Sequence, residues 1–210
     1  MQPLNLTEPE IRQCTWMELE RAAQDRHHEW RTPVLATVGK DGTPNARTVV
    51  LRGAVARLQI LQFYTDCRSP KIAELAHEPA AMLVFWSKHL NLQLRVRVAM
   101  EIQTTGPQVD AIWEQLSQSS AAGDYLSMDA PGEALAVGLA ASSAAPGMRH
   151  LAILAAHVQE IDWLELRRAG HRRAAFGTNT WQWRVPMTWS VFDAPVIPSA
   201  ALAAQPNSQP

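Results

Sequence analysis

The chain has 210 residues, of which 47% are apolar, enough to bury a substantial core. Its 19 basic and 20 acidic side chains leave a formal net charge of −1, which argues against nucleic acid or an anionic membrane as its principal partner. The two cysteines, Cys14 and Cys67, make neither a disulfide framework nor a zinc site, so a reduced, cytoplasmic setting is expected.

Residues 8–28 read as a helix. Thr7 to Glu10 forms a capping-box pattern with Pro9 in the first turn, and Ile11, Cys14, Met17 or Glu18, Arg21 and Ala22 follow helical spacing. Trp30 to Pro33 ends it, leaving His27 and His28 in a solvated turn. Strands are then expected over Val34–Val38, Ala46–Val55 and Leu58–Thr65, with a hairpin turn at Gly39-Lys-Asp-Gly42. Ser69 is the expected N-cap of a short helix reaching His77, with Pro70 at its first position. Ala81–Trp86 is a continuous apolar run, suited to a strand covered on both faces.

Asn91–Gln103 alternates most clearly. Leu92, Leu94, Val96 and Val98 take one face, and Gln93, Arg95 and Arg97 the other. A helix over Val109–Leu116 follows, then an Ala/Gly/Ser-rich stretch over residues 119–147 expected to be loop. A strand over His150–Leu166 precedes a closing hairpin, Arg172–Thr178 with Trp181–Val185. His157 is expected to pack within its strand, and most of the eight tryptophans to lie in the core. No stretch suits a signal peptide or a membrane span. The whole reads as one domain over residues 1–193 and a disordered tail over 194–210. The fold class is mainly β with peripheral helices, an antiparallel barrel.

The densest chemistry lies between Arg47 and Lys71. Arg47 and Arg52 bracket a strand, Tyr64 and Thr65 end the next, and Arg68-Ser69-Pro70-Lys71 opens a helix. Hydroxyls and cations at a helix N-terminus suit a phosphate dianion, and they equally suit an ordinary solvated turn. Arg47 and Arg52 are five residues apart, so strict alternation puts them on opposite faces unless the strand bulges. Cys67, beside two cations, would have a lowered pKa if exposed, but it is most simply read as a small packed side chain. No spacing of His and Cys suggests a metal.

Several motifs in this order resemble the pyridoxamine 5′-phosphate oxidase-like family of FMN-binding split barrels. They are Trp30-Arg-Thr-Pro-Val-Leu-Ala-Thr-Val38, the Asp41-Gly-x-Pro44 turn, Arg47-x-Val-Val-Leu-Arg52, Tyr64-Thr-Asp66, Arg68-Ser-Pro-Lys71 and Gln93-Leu-Arg-Val96. The resemblance is nearest to a subgroup with Thr-Asp-x-Arg-Ser-x-Lys. It implies a homodimer holding FMN at the subunit interface and acting on a small organic substrate.

The cofactor contacts it implies are Arg47, the backbone of Thr48, Val49, Val50 and Leu51, then Tyr64, Thr65, Ser69, Lys71 and Gln93. Arg52, and Arg173 from the partner chain, are implied for substrate. No catalytic acid or base stands out, which is tolerable because the flavin itself would accept the hydride.

The sequence also departs from the family. Trp113 to Tyr125 carries no cation, the C-terminal Arg-x-His pair reads His171-Arg-Arg-Ala-Ala-Phe176, and Pro70 replaces a phosphate arginine, with Arg68 a candidate substitute. The family's flavin-side tryptophan falls at Leu164 or Trp163. A non-catalytic flavin-binding or sensing protein and a true pyridoxamine 5′-phosphate oxidase remain as alternatives.

Overall fold

The structure, a computed structural model, describes residues 6–126, 130–132 and 149–185. The expected disordered tail and most of the Ala/Gly/Ser-rich stretch lie outside them.

The chain opens with α1 (Glu8–Gln24), where the Thr7 N–H and hydroxyl both donate to Glu10 at 2.7 Å, closing the expected box. Its buried face is Ile11, Thr15, Trp16, Leu19 and Ala22, while Cys14 and Met17 are exposed. The stripe is rotated from the expected one because Trp16 and Leu19 carry the largest apolar areas. Thr15 can join them because its hydroxyl donates to the Ile11 carbonyl at 2.7 Å. The helix ends four residues earlier than expected, and a 3-10 turn over Glu29–Arg31 seats Trp30 in the core. His28 is packed rather than solvated, with Nε2 2.9 Å from Glu18 and Nδ1 accepting from the Trp30 N–H.

Among the described residues nine strands follow: β1 (Val34–Val38), β2 (Pro44–Thr48), β3 (Leu51–Val55), β4 (Ile60–Asp66), β5 (Ala80–Ser87), β6 (Leu92–Gln103), β7 (Leu151–Glu165), β8 (Arg172–Phe176) and β9 (Trp181–Arg184). They form one antiparallel sheet in the order β2-β1-β5-β6-β7-β4-β3, with β8 and β9 added along β7. The path does not close on itself, as in a split barrel. Gly42, at φ +81°, makes the β1–β2 turn.

The single strand expected over Ala46–Val55 is two. Val49 and Val50 break it because β2 pairs with β1 while β3 pairs with β4 at the far end of the path. A bulge then falls between Leu51 and Gly53, at Arg52. β5 is covered on one face only. Ala81, Leu83 and Phe85 are buried, whereas Trp86 is 46% exposed.

The alternation of β6 holds, with Leu94, Val96 and Val98 fully buried. Leu35, Leu83, Leu94, Val96, Phe63 and Trp163 form the main core beneath α1. A smaller core of Val109, Tyr125, Leu151 and Ile153 lies where α3 (Pro107–Ser117) covers the early part of β7. Trp16, Trp30 and Trp163 are buried, but Trp86 and Trp183 are about half exposed, so tryptophan marks surface as well as core. His157 stands on β7 but is exposed, 2.9 Å from Glu101.

Candidate functional site: an anion cage and an outer row

The helix α2 (Pro70–His77) starts where expected, with Ser69 as N-cap and Pro70 in its first turn. The buried Ser69 hydroxyl makes no capping bond and instead accepts from Lys71 Nζ at 2.5 Å. Lys71 Nζ also donates to Thr65 Oγ1 at 2.9 Å, tying the helix to the end of β4. Burial holds the Lys71 ammonium below its ordinary pKa, and the nearby Arg47 guanidinium adds to this against Asp66 and Glu74. Two cations that repel each other in a part-buried cleft, each flanked by hydroxyls, make a place an anion would stabilise.

Arg47 reaches the cage from β2. It stands opposite Leu35 in register and so shares the inward face of the sheet. Its guanidinium donates to Glu74 Oε2 at 2.9 Å and to the Thr37 hydroxyl. Glu74 was not singled out from sequence, yet it organises this side of the cage. It also accepts from Thr37 Oγ1 at 2.6 Å and from Asn45 Nδ2 at 3.1 Å. The available signal was its position one turn beyond Lys71 on a short helix, which puts both side chains on one face.

Arg68 is the candidate for the place of the missing phosphate arginine. It folds back on Asp66, with Nη2–Oδ2 at 2.6 Å and Nε–Oδ1 at 3.1 Å. Burial would raise the Asp66 carboxyl, but hydrogen bonds and charge from Arg68, aided by His150, leave it below the usual range. Cys67 is partly buried rather than exposed. Burial and then Asp66 push its thiol up, against a smaller pull from Arg68.

Arg47, Thr65, Ser69 and Lys71 are thus brought together. Tyr64, next to Thr65 on an extended strand, points to the other face, where Arg52 lies with its guanidinium carbon 6.0 Å from the ring centre. Burial raises the Tyr125 hydroxyl pKa there, while the charge of Arg52 and a hydrogen bond from it pull the other way. Thr48 is exposed, Val49 and Val50 are half-buried, and the Leu51 side chain is wholly in the core, leaving only its backbone for a cofactor.

Gln93 belongs to a different surface. Register aligns Trp86, Gln93, Leu164, Arg173 and Arg184 in one row across five strands, on the outer face. Leu164 therefore stands beside Gln93, while Trp163 faces the core at 2% exposure. Arg173 is two strands from Gln93, about 10 Å away. It is held by Asp162 through an Nε–Oδ1 bond of 2.8 Å and an Nη2–Oδ2 contact of 2.5 Å. Arg95 and Arg97 flank the row and pair with Asp162 and Glu160 at 3.7 and 3.6 Å. Among the described residues no cluster of His, Cys, Asp and Glu could hold a metal ion, and no helix is long and apolar enough to cross a membrane.

An FMN phosphate fits the cage by donor chemistry. Two cations, an N-cap hydroxyl that makes no capping bond and a helix N-terminus converge, and among the described residues one carboxylate, Glu74, is within bonding distance of the cations that would face it.

Residues 13–104 match the sequence profile described as pyridoxamine 5′-phosphate oxidase, FMN-binding domain. The chain is 37% identical over 109 residues to a pyridoxine/pyridoxamine 5′-phosphate oxidase of Myxococcus xanthus (strain DK1622), covering 52% of each. It is 40% identical over 93 residues to the enzyme of that name from Thermosynechococcus vestitus, covering 44% of this chain and 43% of that one. The chain thus spans about half the length of the curated relatives it matches.

Two solved structures share its fold. One is a pyridoxamine 5′-phosphate oxidase-related, FMN binding protein from Nostoc punctiforme PCC 73102, with TM-score 0.67, 21% identity, and 87% of this chain and 100% of that one covered. The other is PhzG from Burkholderia lata 383 in complex with tetrahydrophenazine-1-carboxylic acid, with TM-score 0.64, 18% identity, and 87% and 95% covered.

Proposed function

We propose, from the match of residues 13–104 to the pyridoxamine 5′-phosphate oxidase FMN-binding domain profile, that the protein is a homodimeric FMN-dependent oxidoreductase acting on a small organic substrate. The observation that carries the reading is the convergence of Arg47, Ser69 and Lys71 on one anion cage. Thr65 lines that cage, and the backbone from Thr48 to Leu51 runs past it. FMN supplies the redox chemistry when bound. The chain's own residues bind and orient it: the cage fixes the phosphate, and Gln93 addresses the polar edge of the ring.

The cage opens on the inward face of β2, whereas Gln93, Leu164 and Arg173 lie on the outer face of β6 to β8. Opposite faces of one sheet favour a site completed by two chains, with the outer row supplied by the partner. Exposed Val34, Val38, Trp86 and Trp183 on the surface support such self-association. Tyr64 and Arg52 form the adjoining polar wall, with Arg52 assigned to substrate. Free Cys14 and Cys67 fit a reducing, cytoplasmic location.

Reconstitution tests this directly. The purified protein, titrated with FMN, should acquire a bound-flavin absorbance spectrum and sediment as a dimer. Under anaerobic conditions a substrate panel should bleach the flavin. A monomer that binds no FMN would refute the reading.

One observation favours a second reading, a flavin binder without turnover. Arg173 is committed to Asp162 by two contacts, and Trp113 to Tyr125 offers no replacement cation. Bound FMN that no substrate on the panel reduces would support it. The same departures weigh against pyridoxamine 5′-phosphate as substrate.

A further inference from the structure

A cavity of about 160 Å³ lies under α1, on the core side of the sheet. Its walls include Ile11, Trp30, Leu92 and Trp163, and Cys14 and Glu165 also line it. Leu92 and Glu165 face each other in register, and Arg172 stands next to Glu165 on β8. Gln93 and Leu164, one residue away from Leu92 and Trp163, point to the opposite face. The cavity is therefore separate from the proposed flavin row, behind the same strands.

The polar atoms around it are unusual. Among the described residues, the buried side-chain atoms without a hydrogen bond are Trp30 Nε1, Arg52 Nε, Glu165 Oε2 and Arg172 Nη1. Trp30 and Glu165 line this cavity, and Arg172 Nη1 lies 3.7 Å from Glu165 Oε2. Trp30 is fully buried. Glu165 Oε2 has ion-pair contacts to Arg167 Nε at 2.7 Å and Arg172 Nη1 at 3.7 Å without hydrogen-bond geometry. Arg172 donates from Nη2 to the Leu6 carbonyl at 2.8 Å and stacks its guanidinium over Trp163 and Trp183. Buried donors and acceptors are satisfied in nearly all native structures, so the Trp30 indole N–H and the Glu165 Oε2, both on the cavity wall and neither hydrogen-bonded, offer a donor and an acceptor to a ligand.

We infer that this cavity binds a small, uncharged, monocyclic aromatic molecule carrying one group that both donates and accepts a hydrogen bond, as a phenol or a primary benzamide does. The volume sets the size, since a protein cavity of roughly 150 Å³ accommodates a benzene ring. Indole and leucine walls set the aromatic character. Neutrality follows from the charges nearby, where Glu18 and Glu165 are offset by Arg167 and Arg172. An acceptor on the ligand answers Trp30, and a donor answers Glu165.

Calorimetric titration of the full-length protein with phenol, benzamide and benzene tests this, with and without FMN. Phenol and benzamide should bind saturably at roughly millimolar concentration, as few-atom ligands do, and benzene at least tenfold more weakly. Leu92→Trp, which fills the cavity, should abolish phenol binding while leaving FMN affinity unchanged. Trp30→Phe should weaken phenol about tenfold and leave benzene unaffected.

In the unmodified protein, phenol should slow alkylation of Cys14, followed by peptide mass spectrometry, and leave Cys67 unaffected. That measurement does not depend on whether the variants fold. Equal binding of benzene and phenol would mean that water satisfies these atoms, and would overturn the inference. So would undiminished phenol binding by Leu92→Trp, or no protection of Cys14 at saturating phenol.

Discussion

Replacing Lys71 with alanine separates a phosphate cage from a merely structural lysine. The ammonium makes two hydrogen bonds inside the cage, to Ser69 Oγ at 2.5 Å and Thr65 Oγ1 at 2.9 Å, and is half-buried. Both partners are hydroxyls that can turn to another acceptor, so its removal strands no charge. The loss should fall on the anion. A hydrogen bond to a charged group contributes about 1.5–3 kcal/mol, and each 1.4 kcal/mol is about tenfold, so FMN should bind about ten- to a hundredfold more weakly. Riboflavin, which lacks the phosphate, supplies the control. Fluorescence-quenching titrations of both ligands against both proteins should show the loss for FMN alone. Unchanged FMN affinity, or an equal loss for riboflavin, would refute the placement of the phosphate at Lys71.

Further outcomes follow from the same contacts. Arg47→Ala should weaken FMN more than Lys71→Ala does, because it also leaves the Glu74 carboxylate facing the phosphate. Adding Glu74→Gln should restore part of that loss, and a double-mutant cycle measured by FMN titration gives the coupling. FMN affinity should fall with alkaline pH. Lys71 sits below its ordinary 10.5 in the FMN-free protein, a neighbouring phosphate would raise it, and binding then takes up a proton between the two values. The sign for folding is the reverse. Without FMN the unfolded chain holds the proton more tightly, so this group's contribution to stability rises with pH through the window from its depressed value to 10.5. Titrations of Lys71→Arg, which should flatten the alkaline fall in affinity, check the assignment. In the core, Leu94→Ala should cost about 2–5 kcal/mol of unfolding free energy in urea, because its side chain is fully buried between strands.

Local chemistry fixed what is periodic or punctuated. Val34–Val38, the Gly42 turn, the Ser69-Pro70 helix start and the alternation of β6 could all be read from the sequence because each depends on neighbours within a few residues. The cage residues Ser69 and Lys71 were legible for the same reason, being two residues apart at a helix start. Tertiary structure decided the rest. Ala46 to Val55 looks like one strand because its apolar pattern is continuous, and only its pairing with β1 on one side and β4 on the other splits it. The pKa of Cys67 depends on how far it is buried and on Asp66, neither of which its sequence neighbours Arg68 and Lys71 reveal. Glu74 is unremarkable in sequence and matters only because α2 brings it against Thr37, Asn45 and Arg47. Periodicity shows which face a side chain takes, but charge balance and burial depend on what another part of the chain lays against that face.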